Sequence, residues 1–119
     1  MRPSASGLAQ DRLDPERRWS GLVLRNLREQ FFYRLGENAD FFQYRTRAGV
    51  RVPFAVRTSS ATVGFIPIRG EPTRTATAAA HSFLRAYANG KVVLVTDAHQ
   101  SSVMNDRTLL IPASQLLFP

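Results

Sequence analysis

The sequence predicts one α/β domain, a mixed central sheet flanked by helices in the order α-β-β-β-α-β-β. Three observations carry that expectation. Trp19, Leu22, Val23, Leu27 and Phe31 recur at three- and four-residue spacing, which makes one apolar stripe on a helix. Val50, Val52, Phe54 and Val56 alternate with Arg51, Pro53, Ala55 and Arg57, the period-two pattern of a strand buried on one face. The run KVVLVT (91–96) is almost continuously apolar and suits a strand covered by helices on both sides.

Each element then has its own local signals. Residues 1–14 are small, polar and proline-bounded, and read as a loosely attached lead-in to a domain over 15–119. Asp14 can cap a helix, Pro15 suits its first position and Gly36 stops it, so the first helix is expected over about 15–35. Phe41, Phe42 and Tyr44 mark a strand before the turn RTRAG (45–49), and a third strand is expected over Thr62–Ile68 after the turn 58–60. Pro53 and Pro67 each remove a ladder donor, which places each at an edge or a bulge. A second helix follows Pro72, capped by Thr73 or Thr75, with Ala76, Ala80, Phe83, Leu84 and Tyr87 inward and Asn89-Gly90 as a left-handed end. Residues 97–106 read as a polar connection, 107–112 as a short last strand and 114–118 as a terminal turn or short helix.

Composition narrows the function classes. There is no cysteine, which excludes disulfides, thiolate zinc sites and cysteine nucleophiles. No stretch reaches the roughly 18 apolar residues of a membrane span, and the first residues lack the apolar core of a signal peptide; a cytoplasmic protein without a membrane partner is expected. Lys+Arg number 16 against 9 Asp+Glu, a net charge of +7 carried almost wholly by arginine. Such a surface attracts polyanions, or reflects arginine used only for solubility.

Several phrases share a pattern with a known family. They are GLVLRNL (21–27), YRTRAGVRVPF (44–54), FIPI (65–68), HSFLRAYANGKVVLVT (81–96) and LLIPASQLL (109–117). In this order and spacing the chain resembles the C-terminal domain of unknown function carried by many prokaryotic AAA-type ATPases. That family belongs to the PD-(D/E)xK restriction-endonuclease-like superfamily. The resemblance implies a restriction-endonuclease-like fold, an ancestry in Mg²⁺-dependent DNA cleavage, and nucleic acid, an ATPase or another protein as partner.

The chemistry of such a site demands acids. A Glu-x-Asp pair on one strand face can share a magnesium ion, and a Glu-x-Lys on the next strand adds an oxygen ligand and a cation. Aligned on the family, the helix acid falls on Arg25, the strand pair on Arg51 and Pro53, and the Glu-x-Lys window on Arg69-Gly70-Glu71. Guanidinium groups repel a divalent ion, so no metal, cofactor or catalytic residue is expected. Arg25, Arg51 and Arg69, with Arg47 and Arg57 on a rim, are instead candidates for gripping a nucleic-acid backbone, because arginine binds phosphate bidentately. The expected function is a non-catalytic, nuclease-derived interaction domain. Two alternatives stay open: an active nuclease using Glu37, Asp40 or Glu71, and a structural remnant that binds only protein.

Other signals are weaker. Asp97, His99, Ser101 and Ser102 hold the residue types of a hydrolase triad but lie in one short polar connection, where a capped turn is the ordinary reading. His81 is expected at the border of the second helix's apolar face. Gly90-Lys91 lacks the preceding glycines of a phosphate loop. The aromatics at 31–33 and 41–44 are expected in the core rather than as a stacking platform.

Overall fold

A computed structural model describes residues 14–116. Helix α1 (Pro15–Leu35) leads into a single 3₁₀ turn (Gly36–Asn38), then strands β1 (Asp40–Arg45), β2 (Arg51–Arg57) and β3 (Thr62–Ile68). Helix α2 (Arg74–Ala86), strands β4 (Gly90–Thr96), β5 (Ser102–Asn105) and β6 (Thr108–Pro112), and the one-turn α3 (Ala113–Leu116) complete the chain. Apart from Asp14, the expected lead-in lies outside the described residues, as do 117–119. The strands form one six-stranded mixed sheet in the order β1-β2-β3-β4-β6-β5. The inner strands β3, β4 and β6 are mutually parallel, and the remaining pairings are antiparallel. No described helix is long and apolar enough to cross a membrane.

Two cores form because the inner strands are apolar on both faces. Alternation along β4 sends Val92 and Leu94 toward α2, where they meet Ala76, Ala79, Ala80 and Phe83. Val93 and Val95 point to the other face, against Val23 and Leu27 of α1 and Ala113 of α3. Local signals position both long helices. Asp14 Oδ1 accepts from Arg17 N at 3.3 Å, and Thr73 Oγ1 accepts from Ala76 N at 3.1 Å. Gly36 takes φ +51°, a conformation open to glycine, and ends α1.

The structure corrects the sequence reading at several points. The buried stripe of α1 runs through Val23 and Leu27 with Trp19 and Phe31 beside them, but Leu22 is exposed. One residue along a helix is about 100° around it, enough to carry Leu22 off the stripe. Strand β2 is buried on both faces rather than one. Phe42 pairs with Ala55 and Tyr44 with Val52, so three intervals of β2 stand against two of β1, and Pro53 and Phe54 share the place opposite Gln43. This β-bulge reverses the alternation. Val52 and Ala55, three apart, both join the α2 core, while Phe54 and Val56 join the α1 core. Glycine at 64 makes room for the reversal: a Cβ there would sit 3.0 Å from Val52 Cγ1 and 3.1 Å from Phe83 Cζ.

Two further corrections concern the end of α2 and the segment after β4. Gly90 is not left-handed, and α2 closes on an extended Tyr87. Its carbonyls are taken by Arg107, which donates to Leu84 O at 3.0 Å, Tyr87 O at 2.6 Å and Gly90 O at 3.0 Å. Glycine is needed at 90 because a Cβ would lie 2.9 Å from Tyr87 O. Within 97–106, expected as a connection, residues Ser102–Asn105 form the edge strand β5. Every side chain of β5 is exposed, so no burial pattern marks it; its ladder with β6 alone holds it.

Candidate functional site

A cavity of about 170 Å³ opens at the carboxyl end of β3. Its floor is apolar: Ile66, Ile68, Ala76 and Ala79. Its rim is polar and basic, with Arg51 from the start of β2, Arg69 just after β3, Ser20 and Trp19 from α1, and Thr73 and Thr75 from the start of α2. No carboxylate lies among the described lining residues. Open α/β sheets bind ligands at the carboxyl ends of their parallel strands, and the N-terminus of a following helix presents free N–H groups there. Thr73 caps Ala76, and the N–H groups of Arg74 and Thr75 precede the first intrahelical bond, from Thr77 N to Thr73 O. The indole Nε1 of Trp19 is buried without a hydrogen-bond partner, an uncommon state for a buried polar atom.

The two arginines of the rim differ electrically. Arg69 Nε donates to Asp97 Oδ2 at 3.0 Å, and Asp97 Oδ1 accepts from Gly70 N at 2.7 Å. Thr96 Oγ1 donates to Gly70 O at 2.7 Å and accepts from Ala98 N at 3.0 Å. The ends of β3 and β4 are thus laced together. The Gly70 N–H, followed by the Arg69 guanidinium, holds the Asp97 carboxyl below its ordinary range against the opposing effect of desolvation. Arg69 is therefore paired with a carboxylate where it stands. Arg51 is exposed and has no ion-pair partner among the described residues.

The other candidate positions do not converge here. Val23 and Leu27 are buried on α1, and Arg25 lies about 200° around the helix from each, so it faces solvent beside Gly21, Arg28 and Glu29. Arg47 is exposed in the β1–β2 turn and does not line the cavity that Arg51 borders. Arg57 lies at the opposite end of β2, 3.5 Å from Asp40 and with its guanidinium carbon 5.5 Å from the Phe42 ring centroid. Pro53 stands at the bulge and does not line the cavity of Arg51; it lines a different slot with Phe32 and Gln43. Glu71 is exposed on the connection to α2 and does not line the cavity.

The acids considered for an active nuclease do not all converge either. Glu37 and Asp40 line a depression with Arg57 and Thr58, while Glu71 follows β3. Among the described residues, no three acids or histidines gather as a metal would need. No family model matches the chain, and comparison with curated proteins and with solved structures returns no match. What the chain does must therefore be argued from its own residues.

Sequence reasoning missed several of them. Ser20, Thr75 and Trp19 join the cavity only because α1 and α2 cover opposite faces of the sheet and meet at its end. Arg74 was not singled out, yet it borders a shallow groove along α2 with Thr77, His81 and Arg85. His81 is exposed there rather than at the core border. A helix over 74–86 without a single acid was the signal that could have found this basic face.

Proposed function

We propose that this chain is a non-catalytic, nuclease-derived domain of restriction-endonuclease-like architecture that binds nucleic acid by its phosphates. The observation that carries the reading is Arg51, a guanidinium without a carboxylate partner among the described residues, on the rim of a cavity whose described lining holds no acid. A phosphate oxygen at that rim would meet Arg51, the hydroxyls of Ser20, Thr73 and Thr75, and the first-turn N–H groups of α2. The basic face of α2 extends the same potential along one side. The order of elements and the phrases that resemble the C-terminal domain of AAA-type ATPases support descent from such a nuclease, and the reading has the domain act in the cytoplasm.

Trp19 is the single tryptophan and lies in the cavity wall, so its fluorescence reports directly on occupancy. Titration with duplex DNA should change that emission saturably, and Arg51→Ala should weaken the response. A second reading, a protein partner, has one observation in its favour: β5 is a fully exposed edge carrying Val103 and Met104. Concentration-dependent self-association or partner capture, without any DNA response, would favour that reading instead.

A further inference from the structure

We propose that the slot between the C-terminal half of α1 and the bulge of β1 and β2 receives an unpaired nucleobase, so that the nucleic acid bound is single-stranded where it crosses this face. The inference rests on the nucleic-acid reading above but on different residues. The slot has a volume of about 340 Å³ and is lined by Arg28 and Phe32 of α1, Phe41 and Gln43 of β1, and Pro53 and Phe54 at the bulge. A base presents an apolar ring face, a hydrogen-bonding edge and a tethered phosphate, and each has a counterpart here. Phe32 is 53% exposed, with its ring centroid 4.3 Å from that of Phe41. Such an aromatic at a surface is a stacking platform that tolerates any base.

The Gln43 amide offers both a donor and an acceptor. It stands exposed on an edge strand where the bulge opposes it with Pro53, which has no N–H of its own. Arg28 is the one charged residue among the described residues lining the slot. Charge complementarity selects the occupant. A second copy of this chain would bring another net +7 to a slot whose described lining holds Arg28 and no acid, whereas a polyanion is attracted.

The test is fluorescence anisotropy of the full chain with a labelled oligothymidylate of about fifteen nucleotides and an abasic oligomer of equal length. The oligothymidylate should bind more tightly than the abasic strand. Phe32→Ala should weaken oligothymidylate binding roughly tenfold and leave abasic binding unchanged, while Phe32→Trp keeps the affinity. Should Phe32→Ala fail to fold, Phe32→Trp and the exposed Gln43→Ala carry the test, the latter with a base-dependent loss of a few-fold. Equal binding of the two oligomers, or equal weakening of both, overturns the proposal. If duplex DNA still binds through Arg51, this inference alone falls; if no DNA binds at all, the broader reading falls with it. Dimerisation that depends on Phe32 in sedimentation would assign the slot to a second copy and overturn it too.

Discussion

The Arg69 guanidinium donates to the Asp97 carboxylate at 3.0 Å, and that pair joins the loop after β3 to the loop after β4 at the mouth of the cavity. The same carboxylate accepts from Gly70 N at 2.7 Å. One acid thus fixes the rim and withholds one of its two arginines from a ligand. The pair is structural first, and its release is a route to stronger anion binding.

Asp97→Asn tests both halves. The amide oxygen can still accept from Gly70 N, but the charge opposing Arg69 disappears. Duplex DNA affinity at low salt should rise several-fold, read by anisotropy, because an unneutralised guanidinium adds about one phosphate contact. Unchanged or weaker binding would show that Arg69 does not face the ligand.

The pH dependence follows from the lowered Asp97 pKa. A carboxyl whose folded pKa lies below its unfolded value stabilises the fold above the unfolded value, and that contribution is lost as pH falls through the folded one. The ordinary value is 3.8, so the loss should begin near there and continue below it. Urea midpoints between neutral pH and the acid limb should fall more steeply for the parent chain than for Asp97→Asn. Parallel curves would contradict the assignment.

Arg107 closes the C-terminal end of α2 with three donations, to Leu84 O, Tyr87 O and Gly90 O. Arg107→Ala strips these carbonyls of a charged donor in a partly buried place, and should lower stability by about 2 kcal/mol in urea denaturation. Arg107→Lys should recover only part of it, since an ammonium lacks the planar fork that spans the carbonyls. A loss within about 0.5 kcal/mol, the range of ordinary surface changes, would mean that water replaces the cap.

Gly64→Ala places a methyl carbon 3.0 Å from Val52 Cγ1 and 3.1 Å from Phe83 Cζ. The backbone there is not left-handed, so space alone decides the outcome. Crowding should outweigh the smaller gain from a stiffer unfolded chain and destabilise by about 1 kcal/mol. Val52→Ala in the same chain should relieve part of that crowding, because Val52 is present on this face only through the bulge.

Much of this architecture was legible in the sequence, and the exceptions have physical causes. The β4 run KVVLVT and the Thr73 cap gave clear local signals because burial and capping leave a mark on residue type. Strand β5 left none, since a ladder of backbone bonds imposes no side-chain pattern on an exposed edge. Pro53 announced a bulge, but not that it would line a slot apart from the cavity of Arg51. At the site, Arg51 and Arg69 do meet, as positions at facing strand ends should. Arg25 does not, and the phase of α1 against its buried Val23 and Leu27 was readable in advance. The partnership of Arg69 with Asp97 was not readable, because it crosses 28 residues between two loops.

The nuclease alternative has a direct test. With Mg²⁺ or Mn²⁺, plasmid DNA should stay intact and the thermal midpoint should not move, since Glu71 lies apart from Glu37 and Asp40 and no three acids gather among the described residues. Metal-dependent cleavage abolished by Glu71→Gln would restore catalysis to the chain.

The central claim is that Arg51 grips phosphate, and the salt dependence of duplex DNA binding tests it most directly. For the parent chain, log affinity should fall linearly with log salt, and Arg51→Ala should weaken binding and reduce that slope by about one. An unchanged affinity and slope in Arg51→Ala would contradict the account.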